Sequence, residues 1–139
     1  MSKTHGMFHI DANEEALEAM RQADPSQPIV MLNLLRFRDQ ALEGFGVDGL
    51  TGLQAFQRYG QLNDADDVRF GSEPIWLGPA HRTIIGDEQW DLVILVRYPS
   101  RQHFIDKVSD PKYLEISKVR SAALVDSRLV ELTQLFAAS

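Results

Sequence analysis

Two segments of the chain are apolar on both faces of an extended strand, and nothing else in the sequence constrains the fold as much. Ile29 to Phe37 reads IVMLNLLRF. Alternate side chains of a strand point to opposite faces, so one face takes Ile29, Met31, Asn33, Leu35 and Phe37 while the other takes Val30, Leu32 and Leu34 before Arg36. In a second segment, Trp90 to Tyr98, the residues Leu92, Ile94, Val96 and Tyr98 face one way and Val93 and Leu95 the other. A sheet with one face in water alternates apolar with polar residues, and these segments do not. Both faces of the sheet must therefore be covered.

The elements around these strands can be read from caps and breakers. Asp11, with Glu14 three residues on, predicts a capped helix to about Ala23, ended by the Asp24 to Pro28 stretch with its two prolines. A glycine-rich loop covers 38–49, and Thr51 with Gln54 starts a second helix that carries Leu53, Phe56 and Tyr59 and frays through Asn63 to Asp67. A strand is expected over Pro74 to Ile85, with Pro79 at an edge or bulge, turning at 86–89 into the Trp90 to Tyr98 strand. Ser100 caps a helix that Asp110 and Pro111 break and restart before Leu124, and Ser127 to Phe136 alternates as a last strand.

At 139 residues and 44% apolar composition, this is material for one domain. With residues 1–28 set apart as an extension carrying one helix, 29–139 reads strand, helix, strand, strand, helix, strand. That order is the α+β, ferredoxin-like split βαβ arrangement, with both helices on one face of a four-stranded antiparallel sheet. The only spare element is the N-terminal helix, so the simplest cover for the second face is the same sheet of a second copy: an isologous homodimer.

Several functions are disfavoured at this level. The formal charge of -6 is the wrong sign for a protein that neutralises phosphates, so no nucleic-acid partner is expected. There is no cysteine, and no apolar run has the length of a membrane span or the core of a signal peptide, which leads to the expectation of a cytoplasmic protein without membrane contact. Gly44, Gly46 and Gly49 spell G-x-G-x-x-G before a helix, but six residues separate them from the strand where a dinucleotide loop has none, and the Thr51 cap explains the loop structurally. Asn63, Asp64, Asp66 and Asp67 lack the spacing of a calcium loop and read as a solvated helix end. His5 and His9 lie where no helix is predicted, and His81 and His103 have no adjacent partner, so neither a metal nor any cofactor is expected.

The informative residues are polar ones on faces that should be dry. Asn33 sits among Ile29, Met31, Leu35 and Phe37, where its amide either bonds the backbone of the sheet or lines a cavity. Arg120 follows Tyr113 and Ile116 on the helix stripe that should face the sheet, and a buried guanidinium needs an anion. A carboxylate such as Asp91 or Glu131 is the favoured partner, and an acidic or carbonyl-bearing ligand the other one. Tyr59, Trp76, Trp90, Tyr98 and Tyr113 can wall an apolar pocket with polar handles. His81, expected on the second strand, is the one proton carrier for neutral pH placed inside the fold, and so the candidate catalytic base.

The segments WDLVILVRYPSRQHF and SDPKYLEISKVRSAALVDSRLV, together with MLNLLRF, Tyr59, Asp110, Pro111, Tyr113 and Arg120, resemble the family known as domain of unknown function 1330, over about Ile29 to Leu132. That family is similar in turn to the dimeric α/β-barrel proteins. The chain departs from its pattern at Gly71 and Ser72, where a glycine pair is usual, and at Asp106, Lys107 and Val108, where an aromatic pair is common. The resemblance implies a homodimer with a cleft between helices and sheet, in a superfamily that includes cofactor-independent monooxygenases, small isomerases and stress-associated proteins. It implies no particular reaction.

Asn33, Tyr59, Tyr113 and Arg120 are where the family pattern and the polar-in-apolar argument coincide, and they are the expected ligand-binding residues. Two functions compete. One is a small-molecule-binding dimer acting on a small carbonyl or aromatic compound, in its enzymatic version without a cofactor and with His81 as base. The other is a non-catalytic structural or stress-associated dimer with no ligand. A pocket of about 300 Å³ or more beside Arg120 separates them.

Overall fold

A computed structural model describes residues 8–136. In chain order the elements are α1 (Glu14–Gln22), β1 (Ile29–Phe37), α2 (Gly52–Phe70), β2 (Glu73–Pro79), β3 (Leu92–Tyr98), α3 (Arg101–Ser109), α4 (Pro111–Ala123) and β4 (Leu124–Leu132). The strands form one antiparallel sheet in the order β2-β3-β1-β4. This is the expected α+β, ferredoxin-like topology, with the two doubly apolar strands side by side in the middle. Among the described residues, no helix is long and apolar enough to cross a membrane.

The helices all pack on one face of the sheet. Leu35 of β1 is buried with Ala55 and Tyr59 of α2, Val119 and Ala122 of α4, and Leu124. At the other end, Ile29 and Met31 meet Met20 of α1, Tyr98 of β3 and Phe104 of α3. The start of α2 is held tightly against the end of β1: the Gly52 amide donates to the Arg38 carbonyl at 3.0 Å, and a Cβ at Gly52 would lie 2.2 Å from that oxygen. Only glycine fits there.

The opposite face carries the half-buried Leu32, Leu34, Val93 and Leu95 at its centre, with the buried Val30 towards one end and no described helix over it. Towards its margins Val130 is 42% and Trp76 53% exposed. The apolar second face read from the sequence is therefore present and open in the single chain.

Element ends differ from expectation for identifiable reasons. The cap of α1 is Asn13, whose Oδ1 accepts from the Ala16 amide at 3.1 Å, and not Asp11. Helix α2 does not fray at Asn63 to Asp67 but runs to Phe70 and closes on Gly71 in the left-handed region, because Asp66 is fully buried and bonded to Arg69. Strand β2 stops at Pro79, whose ring removes a ladder donor, and residues 80–91 loop back without strand structure, so β3 starts at Leu92 and not Trp90. Strand β4 begins at Leu124, directly after α4, and ends where its register on β1 ends, Leu132 opposite Val30.

Candidate functional site

The helices do not close fully on the sheet, and a cleft of about 970 Å³ opens between them. Its floor is the helix-facing side of the sheet, with Met31, Asn33, Ile94 and Val96. Tyr59 of α2 and Tyr113 and Arg120 of α4 form one wall, α3 contributes Phe104 and Lys107, and residues 9–13 with α1 close the remaining side. The four residues singled out for ligand binding, Asn33, Tyr59, Tyr113 and Arg120, thus line one cavity, larger than the roughly 300 Å³ a small ligand needs.

The tyrosines form the centre of the wall. Their hydroxyl oxygens are 2.7 Å apart and their rings meet edge to face at 6.5 Å, with the Phe56 ring tilted against Tyr59 at 5.4 Å. Burial pushes the Tyr59 hydroxyl well above its ordinary value, helped by the neighbouring Tyr113. Burial also raises Tyr113 and Tyr98, so all three stay neutral phenols. Two hydroxyls joined by one hydrogen bond use one proton between them, and neither has another hydrogen bond among the described residues. One O–H remains for an acceptor in the cleft.

Arg120 lies in the same wall, half-buried, and its charge opposes the upward shift of all three tyrosines. The expected ion pair with Asp91 or Glu131 does not form. Glu131 accepts from Arg101 Nε at 2.6 Å, and the Asp91 carboxylate accepts from the Phe37 amide at 2.8 Å. Among the described residues no carboxylate or carbonyl takes any of the Arg120 N–H groups. Asn33 serves both of its readings: Nδ2 donates at 3.4 and 3.5 Å to the Met31 and Ile94 carbonyls, while the residue borders the cavity.

Sequence reasoning missed the residues beside this wall. Lys107, only 3% exposed, lines the cleft with Nζ 3.1 Å from Asp67 Oδ1 and 5.0 Å from the centre of the Tyr113 ring. The same Asp67 oxygen accepts from Ser72 at 2.6 Å and from Asn63 at 3.3 Å. A signal existed: Lys107 stands three residues after Phe104 on the apolar side of a short helix, where a lysine is out of place.

His81 is not part of the site. It is exposed in the 80–91 loop, in a separate polar hollow of about 440 Å³ with Arg36, Trp90 and Asp91, because the strand that was to carry it ends at Pro79. It does not border the cleft of its own chain. Gly44, Gly46 and Gly49 have positive φ in a loop closed by Ala41 and Leu50, and none borders the cleft. His5 lies outside the described residues, and His9 borders the cleft alone. Among the described residues no group of three or more histidine or acidic side chains is placed to hold a metal.

No family model matches the sequence, and neither does any curated protein. Solved structures do. A protein of unknown function from Rhodopseudomonas palustris, RPA0582, is 38% identical over 94% of this chain and all of its own, with a TM-score of 0.85. A Bacteroides fragilis protein described as dimeric, of unknown function and ferredoxin-like in fold, covers 80% of this chain and 100% of its own at 11% identity and a TM-score of 0.53. A hypothetical Arabidopsis thaliana protein covers 86% of this chain and 98% of its own at 12% identity and a TM-score of 0.51. The last two likenesses concern the fold alone.

Proposed function

The chain belongs to the family of the Rhodopseudomonas palustris protein, and from that premise we propose that it is a homodimer whose two clefts each bind a small anionic or carbonyl-bearing molecule. The observation that carries this reading is Arg120, a half-buried cation with no counter-ion among the described residues, set beside a hydroxyl pair with one O–H to give, in a cavity of ligand size. A guanidinium partly withdrawn from water gains from an anion, and an oxygen-rich ligand supplies one that the described residues do not. The apolar floor of Met31, Ile94 and Val96 suits the carbon skeleton of such a ligand.

Within this reading the chain is a member of the family known as domain of unknown function 1330, through the residues Tyr59, Asp110, Pro111, Tyr113 and Arg120. The homodimer forms through the open sheet face, with Leu32, Leu34, Val93 and Leu95 against the same residues of a second copy. A neighbour of like fold described as dimeric supports it. Leu95→Glu places a charge in the middle of that face, and sedimentation should show a dimer for the wild type and a monomer for the variant. A wild-type chain that sediments as a monomer at micromolar concentration would end the dimer.

The binding test is equilibrium titration with a panel of small aliphatic and aromatic carboxylates and phenols. At least one carboxylate should bind, and Arg120→Ala should weaken it at least about tenfold, the loss of a charge-assisted hydrogen bond, with the fold intact by circular dichroism. Binding unchanged in Arg120→Ala removes the role given to Arg120. A folded protein that takes nothing from the panel is instead the structural dimer.

A further inference from the structure

The register of the sheet gives the floor of the cleft a direction. Leu77 of β2 pairs with Ile94 of β3, Ile94 with Asn33 of β1, and Asn33 with Leu129 of β4, so these residues form one row across the whole sheet on its helix-facing side. All of them border the cleft. The row runs between the two buried clusters: Leu35, next on the same face of β1, belongs to one, and Met31, next on the other side, belongs to the second. At the two sheet edges Leu77 is 63% and Leu129 48% exposed, so the helices leave apolar side chains uncovered at both ends of the row. Asn33 is its one polar member, and its Nδ2 is turned to the Met31 and Ile94 carbonyls. The bed of the cleft is therefore elongated and mainly apolar, in the same cavity as the Arg120 guanidinium.

We propose that the molecule taken up by this cleft is a straight-chain carboxylic acid of about ten to twelve carbons, with its carboxylate on Arg120 and its alkyl tail laid along the Leu77, Ile94, Asn33 and Leu129 row. This rests on the proposed binding of an anion at Arg120 and adds the class and length of the rest of the ligand. Neighbouring strands lie about 4.8 Å apart, so a row over four strands spans about 14 Å. An extended carbon chain, with bonds of about 1.5 Å at angles of about 111°, advances about 1.25 Å per bond, so about eleven bonds cover the row. A compact acid would leave at least one of Leu77 and Leu129 in water, whereas an alkyl tail of this length covers both. At the other end of the ligand, the spare O–H of the Tyr59 and Tyr113 pair is a second donor for the carboxylate.

The test is a chain-length series. The full-length protein is titrated by calorimetry with the sodium salts of straight-chain acids from butyrate to tetradecanoate, each kept below its micelle concentration. Each methylene laid on the row should tighten binding about fourfold, and the gain should stop at about ten to twelve carbons, with one acid bound per protein chain. Leu77→Ser combined with Leu129→Ser takes the apolar side chains from both ends of the row, at exposed positions that the fold does not need. That double variant should bind dodecanoate about tenfold more weakly and stop gaining at a shorter tail. Arg120→Ala should weaken every member of the series by about the same tenfold and keep the gain per methylene. Equal affinity from butyrate to dodecanoate, a rise that never levels off, or a series that the double variant leaves untouched puts the tail elsewhere than on the row and overturns this inference. In those cases the loss in Arg120→Ala still shows whether the anion reading stands. If another carboxylate binds through Arg120 and no member of the series does, this inference falls alone. A series unchanged in Arg120→Ala overturns both.

Discussion

Arg101 and Arg120 both project from helices on the same side of one sheet, and the chain treats them in opposite ways. Arg101, at the start of α3, is closed in: Nε donates to Glu131 at 2.6 Å, Nη1 donates to the Asp24 carbonyl, and the side chain is 11% exposed. Its own amide is tied to the Gln27 carbonyl at 2.7 Å, so one residue joins the 24–28 turn, α3 and β4. Arg120, near the end of α4, has walls of tyrosine and an open cavity in place of these partners. A charge whose partners come from two other parts of the chain holds the fold together. A charge left without a carboxylate among the described residues, beside a cavity, is what the proposed ligand would pair with.

Stability measurements are the sharpest way to break that comparison. Arg101→Met strands Glu131, itself about one-third exposed, and should lower unfolding free energy by about 2 to 3 kcal/mol in denaturant melts. Arg120→Met removes a cation with nothing to lose and should stay within about 0.5 kcal/mol of wild type, or gain slightly. Equal losses at the two positions would mean that Arg120 is structural after all.

The same pair shows where sequence reading works and where it stops. The two central strands and the apolar second face were legible because alternation along Ile29 to Phe37 and Leu92 to Tyr98 records which side chains meet which layer. Asn33, Tyr59, Tyr113 and Arg120 were legible for a related reason, as polar groups at positions whose neighbours are apolar. Partner choice was not. Glu131 was a candidate for Arg120 and went to Arg101, because periodicity fixes a face of an element but not which of two arginines lies over a given strand residue. Asp67 was read as part of a solvated helix end and Lys107 as a departure from a family pattern, because each looked like an ordinary charge on a helix, and only the packing of α2 against α3 and α4 makes them an enclosed pair. His81 was misplaced by a strand end, since a proline in an edge strand can either continue it or stop it.

A smaller effect should distinguish the open cluster from the closed one by its pH dependence. Tyr59 and Tyr113 hold their protons more tightly when folded, because burial disfavours the phenolate, whereas the unfolded chain releases them near the ordinary tyrosine value of 10.0. Between that pH and the higher folded values, the native state binds more protons than the unfolded one. Stability from these hydroxyls is therefore complete below pH 10 and falls as pH rises above it, by at most about 1.4 kcal/mol per pH unit for each group. Denaturant midpoints followed from about pH 9 to about pH 11 should show a slope that Tyr59→Phe and Tyr113→Phe each make shallower, at a cost near neutrality of about 1 kcal/mol for the lost hydrogen bond. Arg101→Met should lower the whole curve without changing that slope. If the tyrosine variants leave the slope as steep as in the wild type, the two hydroxyls are open to water when folded, and the dry wall that sets Arg120 apart from Arg101 is not there.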